Sequence, residues 1–140
     1  KRDLVIASCG GFPHDINMIQ AHKTLDAVAR ACNDGGTILL LAECADGLGR
    51  PDFLTWFEAA DSGELAVNLC KKYQVNGQTA WSLLRKAERF EVKIVTDLDG
   101  MQTEKMRLAK INEADVSSIA SNGSTSAYIF PNGAKFAVSE

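Results

Sequence analysis

Polar residues crowd the junction between the first apolar run of the chain, residues 4–7, and the segment that follows it. The residues that could do chemistry there are Gly10, Gly11, His14, Asp15, Gln20 and Lys23. Residues three apart are neighbours on a helix, so the amide of Gln20 and the ammonium of Lys23 suit a carboxylate or an oxyanion. Two glycines let backbone amides approach an anion at a helix N-terminus, or simply make a tight turn. The junction is therefore a candidate site for a small acidic ligand, the alternative being a turn followed by solvated side chains.

Histidine and cysteine offer further chemistry, but without a recognisable pattern. His14 and His22 can act as acid or base and Cys9 as a nucleophile, yet no third orienting group follows from the spacing. A Cys9-dependent hydrolase is therefore disfavoured. The histidine and thiol spacings match no ligand template, so no metal site is predicted. The four cysteines contain no C-x-x-C pair and lie beside apolar residues, which predicts buried free thiols in a reducing cytoplasm.

Short apolar runs alternate with helical patterns, and these elements must position the junction. The predicted strands are residues 4–7, 37–43, 92–96 and 127–130. The predicted helical segments are residues 16–33, 53–60, 63–73, 79–90, 103–109 and 113–121. This order predicts an α/β fold, a Rossmann-like three-layer sandwich with a mostly parallel sheet of about four strands. A turn at PNG predicts a short antiparallel edge strand over residues 134–139. Ligands of such sheets bind beyond the carboxyl ends of the strands, where CGGFPHD, CADGLGRPD and DLDGMQ lie.

The first predicted helix has two distinct faces. With Asp15 as its N-cap, we expect a narrow stripe to pack on the sheet, formed by Met18, Ala21, Leu25, Val28 and Cys32. A second face, more than 100° away, carries Ile16, Ile19, Gln20 and Lys23. Isoleucines beside a glutamine and a lysine are unusual for a solvent face, so we expect it to be exposed in this chain and to meet a partner or a ligand.

Composition narrows the functional classes. The chain has 140 residues, a hydrophobic fraction of 46% and a net charge of −3, which suit one globular domain over residues 1–140. Clustered basic residues that would bind nucleic acid are missing, and no apolar run approaches the ~20 residues of a membrane span. The chain starts at Lys1 and reaches a strand within three residues, which we expect of an excised or truncated domain whose upstream partner is missing.

The order of the motifs resembles the C-terminal domain of the nickel-pincer-nucleotide-dependent lactate racemase family. The similarity rests on G-G-x-P-x-D at residues 10–15, Q-x-x-K at 20–23 and E-C-x-D-G-x-G at 43–49. The blocks NGQTAWSLLRKAERFEVKIVTDL and IFPNG extend the similarity over nearly the whole chain.

The resemblance implies the substrate-side domain of a 2-hydroxy-acid racemase or epimerase, an isomerase of the cytoplasm. In that family two domains close on a nickel-pincer nucleotide, which accepts a hydride from C2 of the acid and returns it to either face. The cofactor would be held mainly by an N-terminal domain that this chain lacks, so the isolated domain is expected to be inactive and to hold no cofactor. The competing interpretation is a stand-alone module that binds a small acid or nucleotide.

The resemblance also assigns residues. Gln20 and Lys23 match the glutamine and lysine that the family directs at the substrate. The substrate pocket would include Gly10, Gly11, His14, Asp15, Ile19 and Trp81. Ile19 stands where we expect an aromatic residue and Gln78 near an expected histidine, so the pocket differs in shape and lactate itself is not implied.

Overall fold

The structure is a computed structural model that describes residues 1–121 and 126–136. Its centre is a five-stranded sheet in which all neighbouring strands are parallel. The strands are β1 (Arg2–Ser8), β2 (Cys32–Leu41), β3 (Glu91–Val95), β4 (Ala109–Lys110) and β5 (Ala127–Phe130). Their order across the sheet is β4-β3-β2-β1-β5, so the strand order switches side at β1, with β2 to β4 on one side of it and β5 on the other.

Helices cover both faces of the sheet. They are α1 (Met18–Val28), α2 (Ser62–Lys71), α3 (Val75–Arg89), α4 (Gly100–Lys105) and α5 (Asp115–Ser121). Three 3₁₀ turns, Ala29–Ala31, Phe53–Glu58 and Gly133–Lys135, complete the described elements. In the part of the chain that the structure describes, no helix is long and apolar enough to cross a membrane.

The two faces of the sheet bury separate hydrophobic clusters. Val5 and Ala7 of β1 point into the larger cluster with α1 and α3, while Leu4 and Ile6 belong to a smaller one with Val116 of α5. A strand covered on both faces has apolar residues at successive positions, and such runs can be recognised in the sequence. The predicted α/β three-layer fold is confirmed, with five strands instead of about four.

The boundaries of α1 differ from the prediction. The predicted core stripe is confirmed, since Met18, Ala21, Leu25 and Val28 are fully buried. The N-cap is Asn17, however, whose Oδ1 accepts a hydrogen bond from the amide of Gln20 at 3.0 Å. Asp15 is not the cap.

The end of α1 was also misplaced. The helix stops at Val28 and β2 already begins at Cys32, so Cys32 is buried as a strand residue. Gly35 lies inside β2 with φ +75°, where the β1–β2 register shifts. Pairing with β1 therefore extends β2 to Cys32, before Gly35 and Gly36.

Two further predictions were wrong. Residues 134 and 135, predicted to enter an antiparallel strand, form part of the Gly133–Lys135 turn, and residues 137–140 lie outside the described part. Helix α3 begins at Val75, four residues earlier than predicted, so Trp81 lies in its second turn and not at its start.

Candidate functional site

Gly10 and Gly11 follow β1, where the strand order of the sheet switches side. Gly10 follows β1 with φ +88°, and a Cβ there would collide with the side chain of Asn132, which follows β5. Gly11 has φ +76° and open space beside its Cα. Both backbone conformations favour glycine, and only Gly10 is needed for close packing.

Asp15 fastens the β1–α1 loop to the end of β2. It is 8% exposed, and its Oδ2 accepts a hydrogen bond from the amide of Glu43 at 3.3 Å. The carbonyl of Asp15 accepts from the amide of Cys44 at 2.9 Å. The side chain and the backbone of Asp15 thus hold the first two of the three polar loops against each other.

The first amides of α1 are already occupied. Met18 N–H donates to the Gly47 carbonyl at 3.0 Å, and Ile19 N–H donates to the Leu48 carbonyl at 3.4 Å. The amide of Gln20 binds the Asn17 cap. These contacts argue against an anion held by this helix N-terminus, so a ligand must meet the side chains of α1 instead.

The second face of α1 presents free polar groups. Lys23 is exposed, whereas Gln20, Ile16 and Ile19 are half-buried, and Ile19 packs against the edge of the core. Neither the side-chain amide of Gln20 nor the ammonium of Lys23 has a hydrogen-bond or ion-pair partner among residues 1–121 and 126–136. Lys23 is therefore exposed as predicted, whereas the side chains of Ile16, Ile19 and Gln20 are only partly exposed.

A mainly apolar groove of about 470 Å³ opens beside Ile19, between the beginnings of α1 and α3. It is lined by Ile19, Arg50, Gln74, Val75, Asn76 and Thr79. Val75 is 73% exposed although it is a large hydrophobic residue. Val75 and Thr79 were not predicted from the sequence, although their spacing of four places them on one face of α3.

Hydrogen bonds hold the polar rim of the groove. The carboxylate of Asp52 accepts from Arg50 Nε at 3.0 Å and from Asn76 Nδ2 at 3.3 Å. The hydrogen bond from Arg50 is the main reason that the pKa of Asp52 lies below its usual value. Behind the rim, Gly77 packs on Trp56, so the first turn of α3 is fixed from both sides.

Trp81 does not line this groove. It lines a separate cavity of about 250 Å³ further along α1 and α3, with Asp26 and Lys86 among its neighbours. The guanidinium of Arg85 lies 4.9 Å from the centre of the Trp81 ring, and Lys86 Nζ lies 2.5 Å from Asp26 Oδ1. The structure therefore brings Ile19, but not Trp81, to the groove beside α1.

The histidines and cysteines form no second site. His14 is half-buried in the β1–α1 loop, and His22 is buried with its pKa lowered to about 4, mainly by desolvation. Burial raises the pKa of the Cys9 thiol to about 11, so it is no ready nucleophile at neutral pH. Among the described residues, no three His, Cys, Asp or Glu side chains are placed to hold a metal ion.

Residues 1–136 match the family model described as the lactate racemase C-terminal domain. The chain belongs to this family. It is 44% identical to the lactate racemase of Thermoanaerobacterium thermosaccharolyticum over 66 residues. These residues are 47% of this chain and 16% of that protein. It is 39% identical to the lactate racemase of Lactiplantibacillus plantarum over 51 residues. These residues are 36% of this chain and 12% of that protein.

Solved structures show the same fold. The lactate racemase apoprotein of Thermoanaerobacterium thermosaccharolyticum superimposes with a TM-score of 0.84 at 30% identity, over 99% of this chain and 36% of that chain. A Thermotoga maritima protein, at 15% identity and a TM-score of 0.61, shares the fold over 94% of this chain and 35% of its own. This lactate racemase C-terminal domain thus spans about a third of the length of these structures.

Proposed function

We propose that this chain is the substrate-side domain of an isomerase that racemises or epimerises a 2-hydroxy acid. The observation that carries the proposal is the pair Gln20 and Lys23, free of side-chain partners on the outer face of α1 in a chain of this family. The name of the relatives, lactate racemase, supports the reaction class. We also propose that the protein works in the cytoplasm, where thiols stay reduced.

The two side chains would divide the binding of the acid. The Lys23 ammonium would pair with the carboxylate, since charge-assisted hydrogen bonds strengthen where water is excluded. The Gln20 amide would donate a neutral hydrogen bond to the same end of the substrate and hold its orientation. Asp15 would act indirectly, because it fastens the loop that leads into α1.

We further propose that the complete protein works by hydride transfer to a nickel-pincer nucleotide, which supplies the hydride acceptor. The residues of this chain do not fit nickel by themselves, since no three His, Cys, Asp or Glu side chains among the described residues are placed to hold a metal ion. A further, N-terminal domain would hold the cofactor, which the greater length of the relatives supports. This domain alone, residues 1–140, should then be inactive and should not retain the cofactor.

The test is to incubate the complete, cofactor-loaded protein with single enantiomers of several 2-hydroxy acids in D₂O. We expect the opposite enantiomer to form with no deuterium at C2, measured by chiral chromatography and NMR. Deuterium at C2 would contradict hydride transfer and leave the racemase assignment intact. Binding of the acids without interconversion would contradict the racemase and favour a stand-alone binding module.

A further inference from the structure

We propose that the groove beside Ile19 takes the side chain of the substrate, and that this substrate is a 2-hydroxy acid with a bulky apolar side chain, larger than the methyl group of lactate. The proposal rests on the proposed function and adds the substrate class. Branched aliphatic and aromatic side chains both meet this description.

The chemistry of the groove supports an apolar occupant. Ile19, Val75 and Thr79 present hydrocarbon to a space of about 470 Å³, far more than a methyl group fills. Val75 is 73% exposed at its rim. Apolar surface is costly in water and gains stability when a ligand covers it, so this wall favours a substrate that brings its own hydrocarbon.

The groove begins about one helical turn from Lys23. Ile19 and Lys23 are four residues apart on α1, so their Cβ atoms are about 5–6 Å apart on one helix face. An acid whose carboxylate meets Lys23 would therefore place its side chain near the mouth of the groove.

The rim favours an apolar side chain over a second carboxylate. A dicarboxylic acid would need an unpaired cation at the far end of the groove. The cation there is Arg50, and its Nε already binds Asp52 at 3.0 Å, while Asn76 donates to the same carboxylate. The charge of the rim is thus neutralised within the protein.

The experiment compares acids on the complete, cofactor-loaded protein. We expect kcat/KM for 2-hydroxy-4-methylpentanoate and for 3-phenyl-2-hydroxypropanoate to exceed that for lactate by roughly tenfold or more. Val75→Trp, which fills the groove, should lower this bulky-to-small ratio by about tenfold. The matched control is Val67→Trp, an exposed valine of α2 that lies outside the groove, and it should leave the ratio unchanged.

Other results would overturn the inference. Turnover of lactate equal to or faster than that of the bulky acids would reject the groove assignment while the racemase proposal stands. Preference for malate would indicate that Arg50 leaves Asp52 to bind a second carboxylate. An equal loss on every acid for Val75→Trp would indicate that another part of the protein covers the groove. Turnover of none of the acids would reject the proposed function together with this inference.

Discussion

Acidification from pH 7.5 to 4.5 should lower the free energy of unfolding of this chain by about 2.5 kcal/mol through one histidine. His22 is 7% exposed, and its Nε2 has no hydrogen-bond partner among the described residues. Desolvation is the largest reason that its pKa falls to about 4, and the charge of Lys86 adds to it, while Asp26 opposes it. His22 is therefore neutral in the folded chain well below pH 6.

The sign and size of this change in the free energy of unfolding follow from the protons bound by the folded and unfolded states. The unfolded chain protonates His22 below its usual pKa of 6.5, whereas the folded chain does so only near pH 4. The unfolded state then binds more protons in this window, so stability is complete above about pH 6.5 and falls as the pH approaches 4. A shift of one pKa unit corresponds to about 1.4 kcal/mol, and most of the total is lost by pH 4.5.

Urea unfolding at several pH values measures this loss. His22→Leu removes the titrating ring and its unpaired nitrogen, so its free energy of unfolding should be nearly constant over the window. His14→Gln changes the half-buried histidine of the β1–α1 loop and should keep the pH dependence of the original chain. A flat profile for the original chain, or an unchanged slope in His22→Leu, would refute the reasoning.

Two other predictions concern the elements that position the groove. Gly77→Ala should lower the free energy of unfolding in urea by about 1–3 kcal/mol, because the new Cβ would lie 2.6 Å from the Trp56 ring and overpack it. A variant as stable as the original chain, or more stable, would show that the ring moves aside. Asn17→Ala should cost about 1 kcal/mol through loss of the α1 N-cap, whereas Asn17→Asp should keep most of it. Equal melting of the two Asn17 variants would contradict the capping role.

The sequence predicted the features that depend on local pattern. The buried stripe of α1 and the order of strands and helices follow from hydrophobic periodicity, which each segment carries by itself. The N-cap of α1 could not be predicted in this way, because Asp15 and Asn17 are both good capping residues. The hydrogen bond between Asp15 and the amide of Glu43, beyond the end of β2, leaves Asn17 as the cap. The start of α3 was missed because Gly77 resembles a turn, although it packs against Trp56. The groove needs the relative placement of two helices, which no single segment encodes.

The central claim is that α1 reaches the substrate, and replacement of Lys23 tests it most directly. In the complete, cofactor-loaded protein, Lys23→Ala should lower kcat/KM by about two orders of magnitude, since roughly 3 kcal/mol is expected for a charge pair in a closed site. Gln20→Ala should cost about 1–2 kcal/mol, as a neutral hydrogen bond is lost. The control is Lys71→Ala on the exposed end of α2, which should match the original protein in kinetics and in melting temperature. A folded Lys23→Ala protein with unchanged kcat/KM would contradict the claim.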